Sequence, residues 1–226
     1  MVNEWLVFSL VLLCIWFFVY LLLPRLRKEM LWVSFLTMPF GLIEPLFVPE
    51  YWNPPSLFNL VQHTGFDIES LIFCFSVGGI ASVLYKGILG VEHKKTREKK
   101  CEMFHFLIVL VPVLLFILLH ILTGLNPIYT ASISMFAAAM LVLFGHPDWL
   151  KNIFVGGLLF TLLYFVFFLS IDLIFPGFVY KVWNLSAISG ILVFSVPLEE
   201  LMFAFTFGMF WSVIYAYLRG YRFKAK

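Results

Sequence analysis

Two stretches of this chain, DIESLIFCFSVGGIASVLY at Asp67–Tyr85 and PLEELMFAFTFGMFWSVIY at Pro197–Tyr215, are versions of one another. At a constant offset of 130 residues they share Glu69/Glu199, Leu71/Leu201, Phe73/Phe203, Phe75/Phe205, Gly78/Gly208, Ser82/Ser212, Val83/Val213 and Tyr85/Tyr215. Each follows a Trp-Asn pair, Trp52-Asn53 or Trp183-Asn184, at nearly the same distance. Self-similarity at a fixed offset marks an internal repeat. Each copy is a continuous apolar run opened by carboxylates, the pattern of a membrane helix with acids at its mouth.

The surrounding composition fixes the solvent. The chain is 62% hydrophobic and only 12% charged, and its mean hydropathy is +1.00. A water-soluble domain of this size cannot hide that much apolar surface, so lipid must accept part of it. The apolar runs are continuous rather than alternating, which excludes a barrel and leaves helices to satisfy the backbone in hydrocarbon.

Seven spans are expected, at Glu4–Leu23, Leu31–Phe47, Ile68–Leu89, Met103–Leu122, Ile128–Phe144, Leu150–Ile174 and Leu198–Leu218. Fourteen of the fifteen Lys and Arg then fall in alternate connections, with Lys181 the exception. The positive-inside rule places the N-terminus outside and the C-terminus in the cytoplasm. The first apolar run lacks a basic flank and a small-residue cleavage site, so it reads as a retained anchor. The basic run GVEHKKTREKK at 90–100 reads as a solvated cytoplasmic linker.

The expected fold is therefore all-α: a polytopic protein with one membrane domain over 1–226. A first repeat covers 1–89, a linker and connector helix 90–127, and a second repeat 128–226. The two three-helix repeats run in the same sense, as parallel repeats do.

Eight of the thirteen carboxylates fall in the outer half of this layout, so acid is concentrated at one face. Asp67, Glu69, Glu199 and Glu200 open helices, where the macrodipole favours negative charge by ~0.3–1 kcal/mol. Capping alone would explain such a placement, and Pro197 fits a first-turn proline. It does not explain Glu44 and Asp172, which stand near helix C-terminal ends, where the dipole opposes them. A charge deep in a span costs ~2.5–3.5 kcal/mol and usually faces the bundle interior with a role. A buried rim of carboxyl groups can hold a protonated acid beside an ionised base, the arrangement of general acid–base chemistry. Glu199 and Glu200 point about 100° apart on a helix, so they cannot share one task. Glu199 and Glu69 are expected to face the interior, and Glu200 to have a separate role or to lie nearer the headgroups. Phe73, Phe75, Phe203, Phe205, Tyr85 and Tyr215 follow the acids along their helices, a wall that can seat an apolar chain and stabilise a cation by roughly 2 kcal/mol when desolvated.

Nothing in the sequence indicates a cofactor or metal. There is no HExxH, paired-Cys, GxGxxG, Walker or GxSxG motif, and Cys14, Cys74 and Cys101 have no ligand spacing. A net charge of +2 gives no reason to expect nucleic acid.

This pattern resembles the lycopene cyclase domain proteins of the heterodimeric and fungal-fusion type. PLEE-LxF at Pro197–Phe203 is similar to the family's Pro-x-Glu-Glu/Asp motif. DIES-LxF at Asp67–Phe73 is similar to its first-half counterpart, and PEYWNPP at Pro49–Pro55 and Trp183-Asn184 resemble the Trp-containing approaches. Ser70 stands where the second half has Glu200, and Asp67 where it has Pro197, so the halves need not be equivalent.

The resemblance implies a membrane isomerase of the intramolecular-lyase type, without cofactor, that closes the end-group rings of a linear carotenoid. On that reading Glu69 and Glu199 are the principal acid/base residues, supported by Glu44, Asp67, Asp172 and Glu200. Trp52, Asn53, Trp183, Asn184, Phe73, Phe75, Phe203, Phe205, Tyr85 and Tyr215 line the substrate. The expected partners are a long polyene and the bilayer, with a homo-oligomer allowed. A small-solute carrier of the SWEET type shares the three-plus-one-plus-three layout and is the rival reading. A non-cyclising terpenoid-modifying or lipid-binding protein of the same fold is another. A microbial rhodopsin is excluded by the lack of a lysine inside the seventh span.

Overall fold

The computed structural model describes residues 3–95 and 102–224, with helix as the dominant element. Five helices among the described residues are long and apolar enough to cross a membrane: Glu4–Leu22, Ile68–Leu89, Pro127–Gly145, Pro147–Ile174 and Leu198–Arg219. We label α1 Glu4–Leu22, α2 Arg27–Thr37, α3 Leu60–Thr64, α4 Ile68–Leu89, α5 Glu102–Thr123, α6 Pro127–Gly145, α7 Leu150–Ile174, α8 Phe178–Val182 and α9 Leu198–Arg219. The fourth expected span falls in α5, whose described apolar part is Leu107–Thr123.

The second expected span takes a different form. Helix α2 ends at Thr37 and continues as a 3₁₀ segment over Met38–Leu46. Pro39 and Pro45 lie in it. Each lacks an N–H and crowds the preceding turn, which breaks the α-helical ladder.

The chain packs as two compact units, Met1–Ile80 with Tyr164–Leu201 and Ala81–Leu163 with Met202–Lys226. The first contains the starts of both acid-bearing helices. Its core is aromatic: Trp5, Phe8, Phe167, Phe168, Phe178 and Trp183 are buried, and Phe8 meets Phe167 and Phe168 edge-on. Such pairs add about 0.5–1.5 kcal/mol beyond their area. Thr37 of α2 occupies the space a side chain at Gly78 of α4 would need, and its hydroxyl donates to the Cys74 carbonyl at 2.8 Å.

In the second unit, α5 and α6 pack as an antiparallel pair. Gly208 of α9 does for α7 what Gly78 does for α2: a Cβ there would lie 2.7 Å from Phe160 Cβ and 3.0 Å from Gly157 Cα. Small residues of this kind allow close helix approach in lipid. The start of the basic linker is not a loop. Strand β1 (Glu92–Lys95) pairs antiparallel with β4 (Tyr221–Lys224), with His93 opposite Phe223. Trp149 lies under this ribbon, stacked on His146 and edge-on to Phe223. Cys101 and linker residues 96–100 lie outside the described residues.

Candidate carboxyl site

All six expected acids belong to the first unit, and their surroundings separate them. Glu200, in the first turn of α9, is 5% exposed. Its Oε1 accepts from Tyr51 OH at 2.5 Å and from Trp183 Nε1 at 2.9 Å, and its Oε2 from Tyr164 OH at 2.8 Å. Glu200 therefore does not face headgroups, as the sequence had allowed. Three neutral donors converge on one buried carboxyl group, each placed to stabilise negative charge that forms on it. Burial first, and then the adjacent Glu200 carboxylate, push the Tyr51 phenol well above its ordinary value. Tyr51 thus keeps its proton and remains a donor.

An aromatic shell surrounds these donors. The Trp183 ring lies 5.5 Å from Trp52, 5.6 Å from Phe168 and 5.8 Å from Phe178, centroid to centroid. Tyr164 lies 5.0 Å from Phe168 and 6.4 Å from Phe73. The two Trp-Asn pairs meet each other. Trp52 and Trp183 form an isolated antiparallel bridge. The Asn53 amide donates to the Val182 carbonyl at 2.8 Å, and the Asn184 amide to the Tyr51 carbonyl at 2.9 Å. This pairing carries Tyr51 to Glu200, across 149 residues of sequence.

Glu69 and Glu199 are both buried, and each holds the loop that leads into its helix. Glu69 Oε1 accepts from the Leu57 amide at 2.7 Å and from Asn3 Nδ2 at 2.8 Å. Glu199 Oε1 accepts from the Ser189 amide at 2.9 Å. Glu69 Oε2 is buried with no hydrogen-bond partner. A charge-assisted bond to a backbone amide is worth about 1.5–3 kcal/mol. Replacing Glu199 by Ala is therefore expected to speed amide hydrogen exchange at Ser189 and its neighbours by roughly 10-fold or more. Unchanged exchange there would show that the bond does not hold the loop.

Asp67 caps α4: its Oδ1 accepts from the Ser70 amide at 2.6 Å and its Oδ2 from Trp5 Nε1 at 3.1 Å. Glu44, on the 3₁₀ segment, is 4% exposed, and neither of its oxygens has a hydrogen-bond partner. Its electrostatic neighbours are Asp67 and Ser70. Asp172 differs from Glu44, although both were expected near helix C-terminal ends. It is half-buried near the end of a regular helix and makes no hydrogen bond among the described residues. Glu4 and Lys181, the one basic residue on the expected outer side, lie 3.9 Å apart at the surface, a contact worth about 0–1 kcal/mol.

The expected substrate-lining residues divide in the same way. Trp52, Asn53, Phe73, Phe75, Trp183 and Asn184 belong to the first unit, and Phe203, Phe205, Tyr85 and Tyr215 to the second. Phe73 packs on Trp5 and Tyr164, whereas Phe75 packs on Trp16 and Phe35. Asn53 is exposed, and Asn184 accepts from the Ser186 hydroxyl. Phe203 packs on Phe207, Phe205 on Phe154 and Tyr215 on Tyr221, and Tyr85 is buried. Pro197 lies in a short strand, Val196–Pro197, one residue before α9. The contacts of Tyr51 and Tyr164 with Glu200 follow from no local pattern, although Tyr51 lies in the PEYWNPP stretch, because each forms only through the tertiary fold.

Neither the curated proteins nor the solved structures gave a match to this chain. A family comparison did. The match takes in Trp183, Asn184, Glu199 and Glu200 and stops short of the first-half acids. The resemblance read from the motifs is thus supported over residues 126–218, which match the lycopene cyclase family.

Proposed function

We propose that this protein is a membrane carotenoid cyclase that closes the end-group rings of lycopene or a related polyene by redox-neutral, proton-initiated isomerisation. Glu200 carries this reading. A carboxyl group that must protonate an alkene needs its conjugate base stabilised as charge develops, in a site without water. Tyr51, Tyr164 and Trp183 supply that stabilisation, and the family match covers Glu200 itself.

The acids then take different tasks. Glu200 is the proton donor. The ring faces of Trp52 and Phe168 stabilise the tertiary cation. Glu44 and Asp67 are neighbouring carboxyl groups, and they accept the proton lost from the closed ring. Glu69 and Glu199, expected to lead the chemistry, hold the loops before α4 and α9 and support the acid/base set through them. Asp172, half-buried and without a hydrogen bond, stays peripheral. The distribution of basic residues supports an outer N-terminus and a cytoplasmic C-terminus.

The test is expression in a bacterial host that accumulates lycopene, followed by pigment analysis. Monocyclic or bicyclic carotene is the expected product. Unchanged lycopene with folded protein in the membrane would refute the reading.

A further inference from the structure

We infer that Tyr51, with Trp183 and Tyr164, is a positioning residue that makes Glu200 a competent proton donor. This rests on the cyclase reading above and gives these three residues a task in it. The three contacts are not equivalent. Oε1 takes two donors, Tyr51 OH and Trp183 Nε1, and Oε2 takes only Tyr164 OH. Oε1 is thus committed to accepting, and the transferable proton belongs on Oε2. The doubly bonded oxygen collects the charge left behind.

The step balances without a co-reactant. The Oε2–H bond breaks and a C–H bond forms at the terminal alkene, leaving a tertiary cation and the Glu200 carboxylate. The internal double bond supplies the electron pair that closes the ring. A proton then leaves a ring carbon for the Glu44–Asp67 pair and an alkene is restored. Proton exchange with water between turnovers resets both carboxyl sites. No electrons are gained or lost.

Tyr51 is held for this task by the backbone. The bridge between the Trp-Asn pairs places an amide bond on each side of it: Asn184 donates to the Tyr51 carbonyl, and Asn53 donates to Val182. Its side chain is buried at 3% exposure. The Trp183 indole is fixed by its rings' contacts with Trp52, Phe168 and Phe178. The donors are therefore aligned before substrate binds, so no reorganisation is needed as charge forms.

The experiment compares wild type with Tyr51→Phe and Trp183→Phe, each reconstituted in liposomes with lycopene and assayed for kcat, KM and thermal stability. Both substitutions remove a donor and keep an aromatic ring. The expected result is a kcat about 10- to 100-fold lower with KM within about twofold of wild type. A structural role alone would lower stability and the amount of folded protein and leave kcat per folded protein at the wild-type value. Wild-type kcat in both variants would overturn the positioning role and leave the cyclase reading intact. A wild type that forms no ring would overturn the cyclase reading, and the positioning role with it. If Tyr51→Phe fails to fold, Trp183→Phe carries the same expectation and the same contrary outcome.

Discussion

Glu200→Gln is expected to lower ring formation by at least about 10³-fold while the protein still accumulates in the membrane. Glutamine keeps the shape and can still accept from Tyr51 and Trp183 through its amide oxygen. It has no proton to give to an alkene. The loss is therefore chemical rather than structural, and pigment analysis against immunodetected membrane protein separates the two. Glu199→Gln is the control that distinguishes neighbouring acids. The amide oxygen of that variant can still accept from the Ser189 N–H, so ring formation should survive at a reduced level. The reverse order of severity would move the proton donor from Glu200 to Glu199.

The second large effect belongs to a close backbone contact. A Cβ at Gly41 would lie 2.7 Å from the backbone of Ser70 and Leu71 in α4, so any side chain forces the 3₁₀ segment away from that helix. Gly41 stands one turn before Glu44, and the same movement takes Glu44 from its place beside Asp67 and Ser70. Gly41→Val is expected to cost about 1–3 kcal/mol of stability through overpacking and to lower cyclisation by at least about 10-fold, as sub-ångström errors in catalytic geometry do. Thermal aggregation in detergent and pigment yield measure the two effects. Wild-type values for both would show that the close packing of this segment on α4 is not needed.

These two residues also show what could be read in the sequence. The first turn of α9, with both of its glutamates, was visible because apolar helices with acids at their mouths are rare. The Trp-Asn pairs stood out by their nearly equal distance from the acids, but their meeting is a tertiary contact. The unlike surroundings of Glu44 and Asp172 were not foreseen. Both were expected near helix C-terminal ends, but Pro39, Gly41 and Pro45 turn the first into a tight 3₁₀ segment pressed on α4, whereas Asp172 ends a regular helix. Tyr51 and Tyr164 were hidden for another reason: they lie 149 and 36 residues from Glu200, and no periodicity reports a contact of that range. The β1–β4 ribbon was missed because its sequences, EHKK and YRFK, read as solvated charge.

If a protein carboxyl group hands its proton to the polyene, the hydrogen it delivers is retained in the carotene. Running the purified, reconstituted protein on lycopene in deuterated water, with mass spectrometry of the carotene formed, tests this transfer most directly. One non-exchangeable deuterium per ring closed is expected over many turnovers, with ring formation abolished in Glu200→Gln. Cyclised product free of deuterium, or deuterated product formed at the wild-type rate by Glu200→Gln, would contradict it.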